Sequence, residues 1–342
     1  MKERVFYLDL LKGISIPLVV VLHVAAVGLS ETPVDSFPWQ VCNLYDSFVR
    51  FVVPIFVMIS GAIYLHEQKR VNVWKSVKHI LYPLVLWSLA YSFVVNISRS
   101  HHIDGGWFCE FLRLAFITPT HTWFLYMLMG IYLIVPLLRC ITRDRKIEEY
   151  FLFLWLVFGV ILPSLSIIPS INHIVIGVVS KMYLHLPLSY TGLFVLGHYL
   201  NTYSMEKYKK SWPLIVVLGG VIMLSTKWLS LKAGTLDGWA YEYLNPLVIL
   251  MAACIFIAAK SFCRSAPPKN RLCKTIGVMA RLSMGVYLFH VPVMILIRHY
   301  GLDFTICNTA LSVPLVSALV YCISFAVIFV ISKIPVLKSY II

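Results

Sequence analysis

Charge is scarce in this chain. Of its 342 residues only 13% are Asp, Glu, Lys or Arg, while 60% are hydrophobic. Soluble domains carry about a quarter charged residues. A water-soluble fold of this length would therefore leave more apolar surface than it could bury. Acidic residues are the scarcer sign, 15 against 29 Lys and Arg, for a formal net charge of +14. The eight cysteines are scattered with no C-x-x-C pair, so no zinc or redox motif is readable. There is no linker, no low-complexity stretch and no soluble domain. No repeat relates the two halves, which weighs against a transporter built on inverted repeats. Any chemistry must take place within or beside a membrane bundle.

What the chain has is apolar runs. A helix needs roughly 20 apolar residues to cross a hydrocarbon core about 30 Å thick. Ten such runs are present, at 8–28, 48–65, 80–97, 122–138, 150–168, 186–200, 213–230, 245–260, 281–298 and 310–332. The stretch 171–179 is apolar but too short to cross, and reads as a re-entrant or interfacial piece. The runs are continuous rather than alternating, which favours helices over the strands of a barrel. The first run is too long for a signal peptide and carries Asp9, Lys12 and His23, so it reads as a retained span. The expectation is an all-α, polytopic membrane helix bundle of about ten transmembrane helices, a single domain over 1–342.

The positive charge orients it. With the N-terminus inside, only Arg50, Arg99, Arg113, Lys181, Lys227, Lys232 and Arg298 fall outside, and the other 22 of the 29 Lys and Arg fall in the cytoplasm. The positive-inside rule predicts that bias, with both termini cytoplasmic. The charge is a topology signal, and a nucleic-acid partner has nothing else behind it.

Ionisable residues inside spans are costly in lipid and are functional candidates by default. His23 is the first. Lys12 lies eleven residues earlier, close to three helical turns, so Lys12, Ser15, Val19 and His23 share a face, with Lys12 and His23 about 16 Å apart along the axis. The plainer readings are a packed core histidine and an interface-anchoring lysine. Arg50 opens the second span and could equally be an interface anchor. His290 lies mid-span, as a second site histidine or a packing one. His198 near an inner end reads as structural. No Asp or Glu is expected deep in a span, which argues against a carboxylate proton relay. Among the outer cysteines, Cys42, Cys109 and Cys307 allow one disulfide or free thiols. The adjacent His101 and His102 are too few to define a metal site, and no metal is expected.

Six segments, in order, carry a resemblance. They are LDLLKGISIPLVVVLH (8–23), FVRFVVPIFVMISGAIYL (48–65), KSVKHILYPLVLW (75–87), HTWFLYMLMGIYLIVPLLR (121–139), GLFVLGHYL (192–200) and SMGVYLFHVPV (283–293). Together they resemble the acyltransferase-3 family of integral membrane acyltransferases, in the subgroup like the enterobacterial common antigen O-acetyltransferase. The resemblance implies transfer of an acyl group, usually acetyl, from acyl-CoA to a hydroxyl of a cell-envelope glycan or glycolipid. It also implies residence in a plasma (inner) membrane, with acyl-CoA as co-substrate, no permanently bound cofactor, and a lipid-linked or envelope glycan acceptor as the other partner. The family's proposed catalytic histidine falls on His23. Where the family often has arginine, this chain has Lys12, and Lys75, Lys78 and His79 precede the third span. Lysine keeps the charge but not the bidentate fork.

On that basis His23 is expected to act as general base, with a transient acyl-histidine as the alternative. Lys12, Lys75, Lys78 and His79 would hold the CoA phosphates, the pantetheine arm rising along the bundle to His23. Arg50, Trp123, Ser60 and His290 would lie on the acceptor or oxyanion side. Trp123 could equally be aromatic packing, and Ser60 part of a helix-packing pair with Gly61. The rival readings are a transporter or flippase, or a membrane sensor.

Overall fold

A computed structural model of the protein describes residues 5–99, 105–117, 121–263 and 271–334. Every regular element among them is helical. The chain runs through α1 (Phe6–Glu31), α2 (Phe37–Val49), α3 (Val52–Tyr64), α4 (Val73–Arg99), α5 (Gly105–Ile117), α6 (Trp123–Ile141) and α7 (Arg145–Leu154). It continues through α8 (Leu162–Ser164), α9 (Pro169–Met182), α10 (His185–Thr202), α11 (Trp212–Ala233), α12 (Pro246–Phe262), α13 (Arg271–His299) and α14 (Thr309–Ile331). Among the described residues eight helical segments are long and apolar enough to cross a membrane. They cover eight of the ten expected spans. The other two expected spans, 80–97 and 186–200, lie on α4 and α10. α9, over the expected interfacial piece, is a helix of 14 residues, too short to span at 1.5 Å per residue.

Helix starts follow local sequence. Ser36, Asp144, Asn245 and Asn308 cap α2, α7, α12 and α14, each accepting a backbone N–H of the first turn. Pro38 and Pro246 fall in the first turn, where no intrahelical N–H is needed. α7 runs through a π-helical stretch, Trp155–Ile161, into α8. Trp155 donates from Nε1 to the carbonyl of Ser189 at 3.0 Å, where α10 is kinked by a non-helical ψ of −118°. The kink strands that carbonyl, and the indole satisfies it.

Two cores form. Residues such as Leu125, Phe194 and Phe256 fill the first, and Trp39, Ile222 and Met251 the second. α1 joins both, Leu8 and Leu11 in the first and Val24 and Leu29 in the second. α3 and α10 approach most closely. A Cβ on Gly61 would sit 1.7 Å from the carbonyl oxygen of Phe194, and one on Gly197 would sit 2.0 Å from that of Met58. Only glycine permits that backbone contact, which is the small-residue packing of membrane helices.

The second span needs correction. It begins not at 48 but at α2, so that Phe37–Tyr64 forms one candidate span, broken at Arg50 and Phe51. Asp46 therefore lies inside it, fully buried. Glu148, at the start of α7, is fully buried too. For Asp46, ten residues into its candidate span, the expectation of no deep carboxylate fails because apolar-run reading ends a span where polar residues begin, and a bundle interior tolerates them when paired; Glu148 lies at a span edge. Asp46 pairs with Arg50 at 2.6 Å, and Glu148 with His198 Nδ1 at 2.8 Å. All eight cysteines are free, with Cys42 buried and Cys109 and Cys307 exposed, so no disulfide forms among those three. His101 and His102 lie outside the described residues.

Candidate active site

α1 and α13 pack together, and that pairing brings His23 against His290. His23 Nδ1 lies 2.9 Å from the carbonyl oxygen of Val19, and His290 Nδ1 lies 2.6 Å from that of Tyr287. A carbonyl only accepts, so these partners assign the proton to Nδ1 on both rings. His290 Nε2 is then an acceptor, 3.3 Å from His23 Nδ1. The Nδ1–H of His23 is shared between Val19 and His290, and its lone pair is left on Nε2. The imidazole is thereby oriented as a base, with His290 behind it to receive the N–H of the imidazolium.

A third histidine completes the cluster. His121, just ahead of α6, has its ring centroid 6.4 Å from that of His23 and 5.7 Å from that of His290. The hydroxyl of Tyr287 donates to its carbonyl. Its ring hydrogen-bonds the backbone of Leu288 through one nitrogen, while buried Nδ1 has no partner. The Leu288 carbonyl is available because residue 292 is proline, which has no N–H to return to the fourth residue before it. His121 opens the family-like segment 121–139, yet nothing in the sequence singles it out as a site residue. It stands one residue outside the expected span 122–138 and looks like a loop residue.

Below the histidines a cavity of about 270 Å³ runs along α1, α3, α4, α6 and α13. Lys12, Lys69, His79 and Arg281 line it, as do Phe124 and Tyr287 beside His121. One basic mouth thus leads toward the cluster. The ammonium of Lys69 lies 3.4 Å over the Tyr64 ring, which stacks on Tyr132 at 4.3 Å. Arg139 fixes the loop carrying Lys69, donating to the carbonyls of Tyr64, His66 and Lys69 at 3.0, 2.8 and 2.6 Å. Partial burial, then the charges of Lys12 and Lys75, push the pKa of His79 down, which favours its neutral form and leaves the cationic character of the mouth to Lys12, Lys69 and Arg281. Of the expected phosphate contacts, the structure brings Lys12 and His79 to the cavity. Lys75 and Lys78 are exposed and do not line it. Lys69 and Arg281 do, yet in the sequence they are indistinguishable from other cytoplasmic topology charges.

The remaining candidates separate. Ser60 lines this lower cavity and donates to the Phe56 carbonyl at 2.9 Å. Its neighbour Gly61 makes the close α10 contact. Arg50 lies near enough to His23 to act on it electrostatically. Its guanidinium is held by Asp46 and lies 4.1 Å over the Tyr241 ring, a cation–π contact. Trp123 is 37% exposed and stacks on Tyr243 at 5.7 Å, with Tyr190 at 5.6 Å. Tyr243 in turn lies 5.6 Å from the Arg50 guanidinium, so the aromatic group and the buried arginine are continuous. His290 stands behind His23 rather than across a gap from it.

A polytopic helical bundle with a cluster of three buried or half-buried histidines, and a basic cavity that reaches Tyr287 beside one of them, defines a membrane protein with a polar interior site. The chain matches the acyltransferase-3 family, described as an acyltransferase domain, over residues 5–333, and it belongs to that family. It is a membrane acyltransferase. No curated protein and no solved structure matches it.

Proposed function

We propose that the protein transfers an acyl group, acetyl by family default, from acyl-CoA to a hydroxyl of a cell-envelope glycan or glycolipid in the plasma (inner) membrane. The observation that carries this is the cavity lined by Lys12, Lys69, His79 and Arg281, which extends to Tyr287, whose ring lies 5.8 Å from that of His121. A phosphate-rich donor with a slender arm suits that shape. The phosphates meet cations at the mouth and the thioester rises to the histidines. The acceptor O–H attacks the thioester carbonyl carbon, and its proton passes to Nε2 of His23. The C–S bond breaks, the ester forms, and the imidazolium returns its proton to the departing thiolate. His290 Nε2 accepts the Nδ1–H of His23 throughout, a positioning role.

Positioned acid–base help is worth about 10²–10⁴ in rate. His23→Ala, with membrane insertion verified, is therefore expected to lower acceptor-dependent thiol release from acetyl-CoA by about that factor. Release at the parental rate would remove His23 from catalysis. Acceptor-dependent release at all separates this reading from a transporter or flippase.

A further inference from the structure

A second cavity, about 380 Å³, meets the cluster from the other side. It lies between α4 and α13, lined by Trp87, Ser88 and Ala90 from one and by Phe289, Pro292 and Leu296 from the other, with His121 and Thr122 at one end and His299 at the far end. On α13 the lower cavity takes residues up to Tyr287 and this one takes those from Leu288 to His299, a further length of about 16 Å. The two cavities follow one another along the α4–α13 seam, and of the three clustered histidines His121 lines the upper one.

Its two ends differ chemically. Near the histidines three buried polar atoms have no hydrogen-bond partner, Nδ1 of His121, Nε1 of Trp87 and Oγ of Ser88. His121 and Ser88 are each 5% exposed. A buried polar group without a partner costs about 1–3 kcal/mol, so three along one cavity mark where a ligand's polar atoms belong. Nδ1 of His121 offers a lone pair, the indole offers a donor, and the serine offers either. That set suits hydroxyl groups, which both donate and accept, and not a phosphate, which only accepts. Beyond them the walls are apolar, and the rim is open. Ile295 is 48% and Leu296 57% exposed, on a helix whose outer surface faces lipid. An occupant can enter sideways from the bilayer, on the far side of the Tyr287–His121 contact from the basic mouth.

We infer that this cavity is the acceptor's binding site and that the acceptor is a lipid. A hydroxyl-rich, sugar-like head occupies the end at His121, Trp87 and Ser88, and an apolar tail leaves between α4 and α13 past Ala90 and Leu296. The inference rests on the acyltransfer reading and narrows its acceptor from any envelope glycan to one carried on a lipid. It also divides the labour of the histidines: His121 orients the head through a neighbouring hydroxyl while His23 takes the proton of the reacting one.

The test uses the full chain in lipid nanodiscs and a dodecyl glucoside carrying a diazirine in its tail, without acyl-CoA. After irradiation, labelled peptides are mapped by mass spectrometry. Label is expected on the α4 segment 87–91 and the α13 segment 289–296. Dodecyl glucoside should compete it away and methyl glucoside should not. Ala90→Trp and Leu296→Trp, both at exposed positions, are each expected to reduce that label by about tenfold, the equivalent of roughly 1.4 kcal/mol. Label spread evenly over all lipid-facing helices, or unchanged in both variants, overturns the site. Competition by methyl glucoside equal to that by dodecyl glucoside overturns the lipid tail. Thiol release is read separately, so its failure overturns the acyltransfer reading and leaves the labelling result standing.

Discussion

At the scale of single residues, Arg50 and Asp46 form the most tightly determined ionic contact beside the histidines. Asp46 is fully buried and lies 2.6 Å from the Arg50 guanidinium, which also lies over Tyr241. Breaking a buried pair by removing one partner costs about 3–5 kcal/mol, whereas replacing both with apolar groups of similar volume is often neutral. Asp46→Ala is accordingly expected to lower the thermal midpoint of the detergent-solubilised protein sharply. Asp46→Leu combined with Arg50→Met should recover most of that loss without restoring acyl transfer. A double variant no more stable than the single would show that the pair is not what holds the α2–α3 break. Arg50 was legible as an exceptional residue in the sequence, because an arginine beside a long apolar run stands out. Its partner was not. Asp46 lies in a segment polar enough to pass for a loop, and only the packing of α2 into the bundle reveals it as interior.

At the scale of elements, the α3–α10 contact sets where the first core closes. The Cβ that Gly197 lacks would fall 2.0 Å from a main-chain oxygen, which cannot rotate away as a side chain could. Gly197→Ala is expected to cost more than the roughly 1–3 kcal/mol of ordinary overpacking, read as a lowered thermal midpoint or as loss of folded protein. Gly220, where a Cβ would meet nothing within 4 Å, is the internal control, and Gly220→Ala should leave the midpoint nearly unchanged. Equal effects at the two sites would count against the close contact. The long spans were legible, since continuous apolar runs favour helices in lipid, whereas α5 and nearly all of α2 fell outside every expected span. The π-helical turn of α7 and the kink of α10 were not, because each exists to satisfy the other through Trp155 and Ser189.

At the scale of the whole molecule, two cavities of different character meet at one cluster. The lower has a cationic mouth, so donor binding there should be electrostatic and screened by salt. Lys12→Ala and Arg281→Ala are each expected to raise the KM for acyl-CoA while leaving kcat within about twofold, the signature of binding energy shared by ground and transition states. The parental KM should rise with added salt, and less steeply in the Lys12→Ala, Arg281→Ala double variant. An effect confined to acceptor use would count against the phosphate role. Lys75→Ala and Lys78→Ala, at exposed positions that do not line this cavity, should change KM less.

The sequence by itself determined that the chain is a membrane helical bundle and which family-like segments it carries, and it singled out Lys12, His23 and His290. These follow from local quantities: apolar run length, the distribution of Lys and Arg, and the helical period that places Lys12 and His23 on one face. Tertiary structure alone decided that His290 stands against His23, that His121 joins them from a segment ahead of α6, and that Lys69 and Arg281 rather than Lys75 and Lys78 line the lower cavity. It also decided that Asp46 is buried. The physical reason is the same in each case. Hydropathy reports whether a residue prefers lipid, but a bundle interior is made by which helices touch, as α1 and α13 bring His23 and His290 together across 267 residues of sequence.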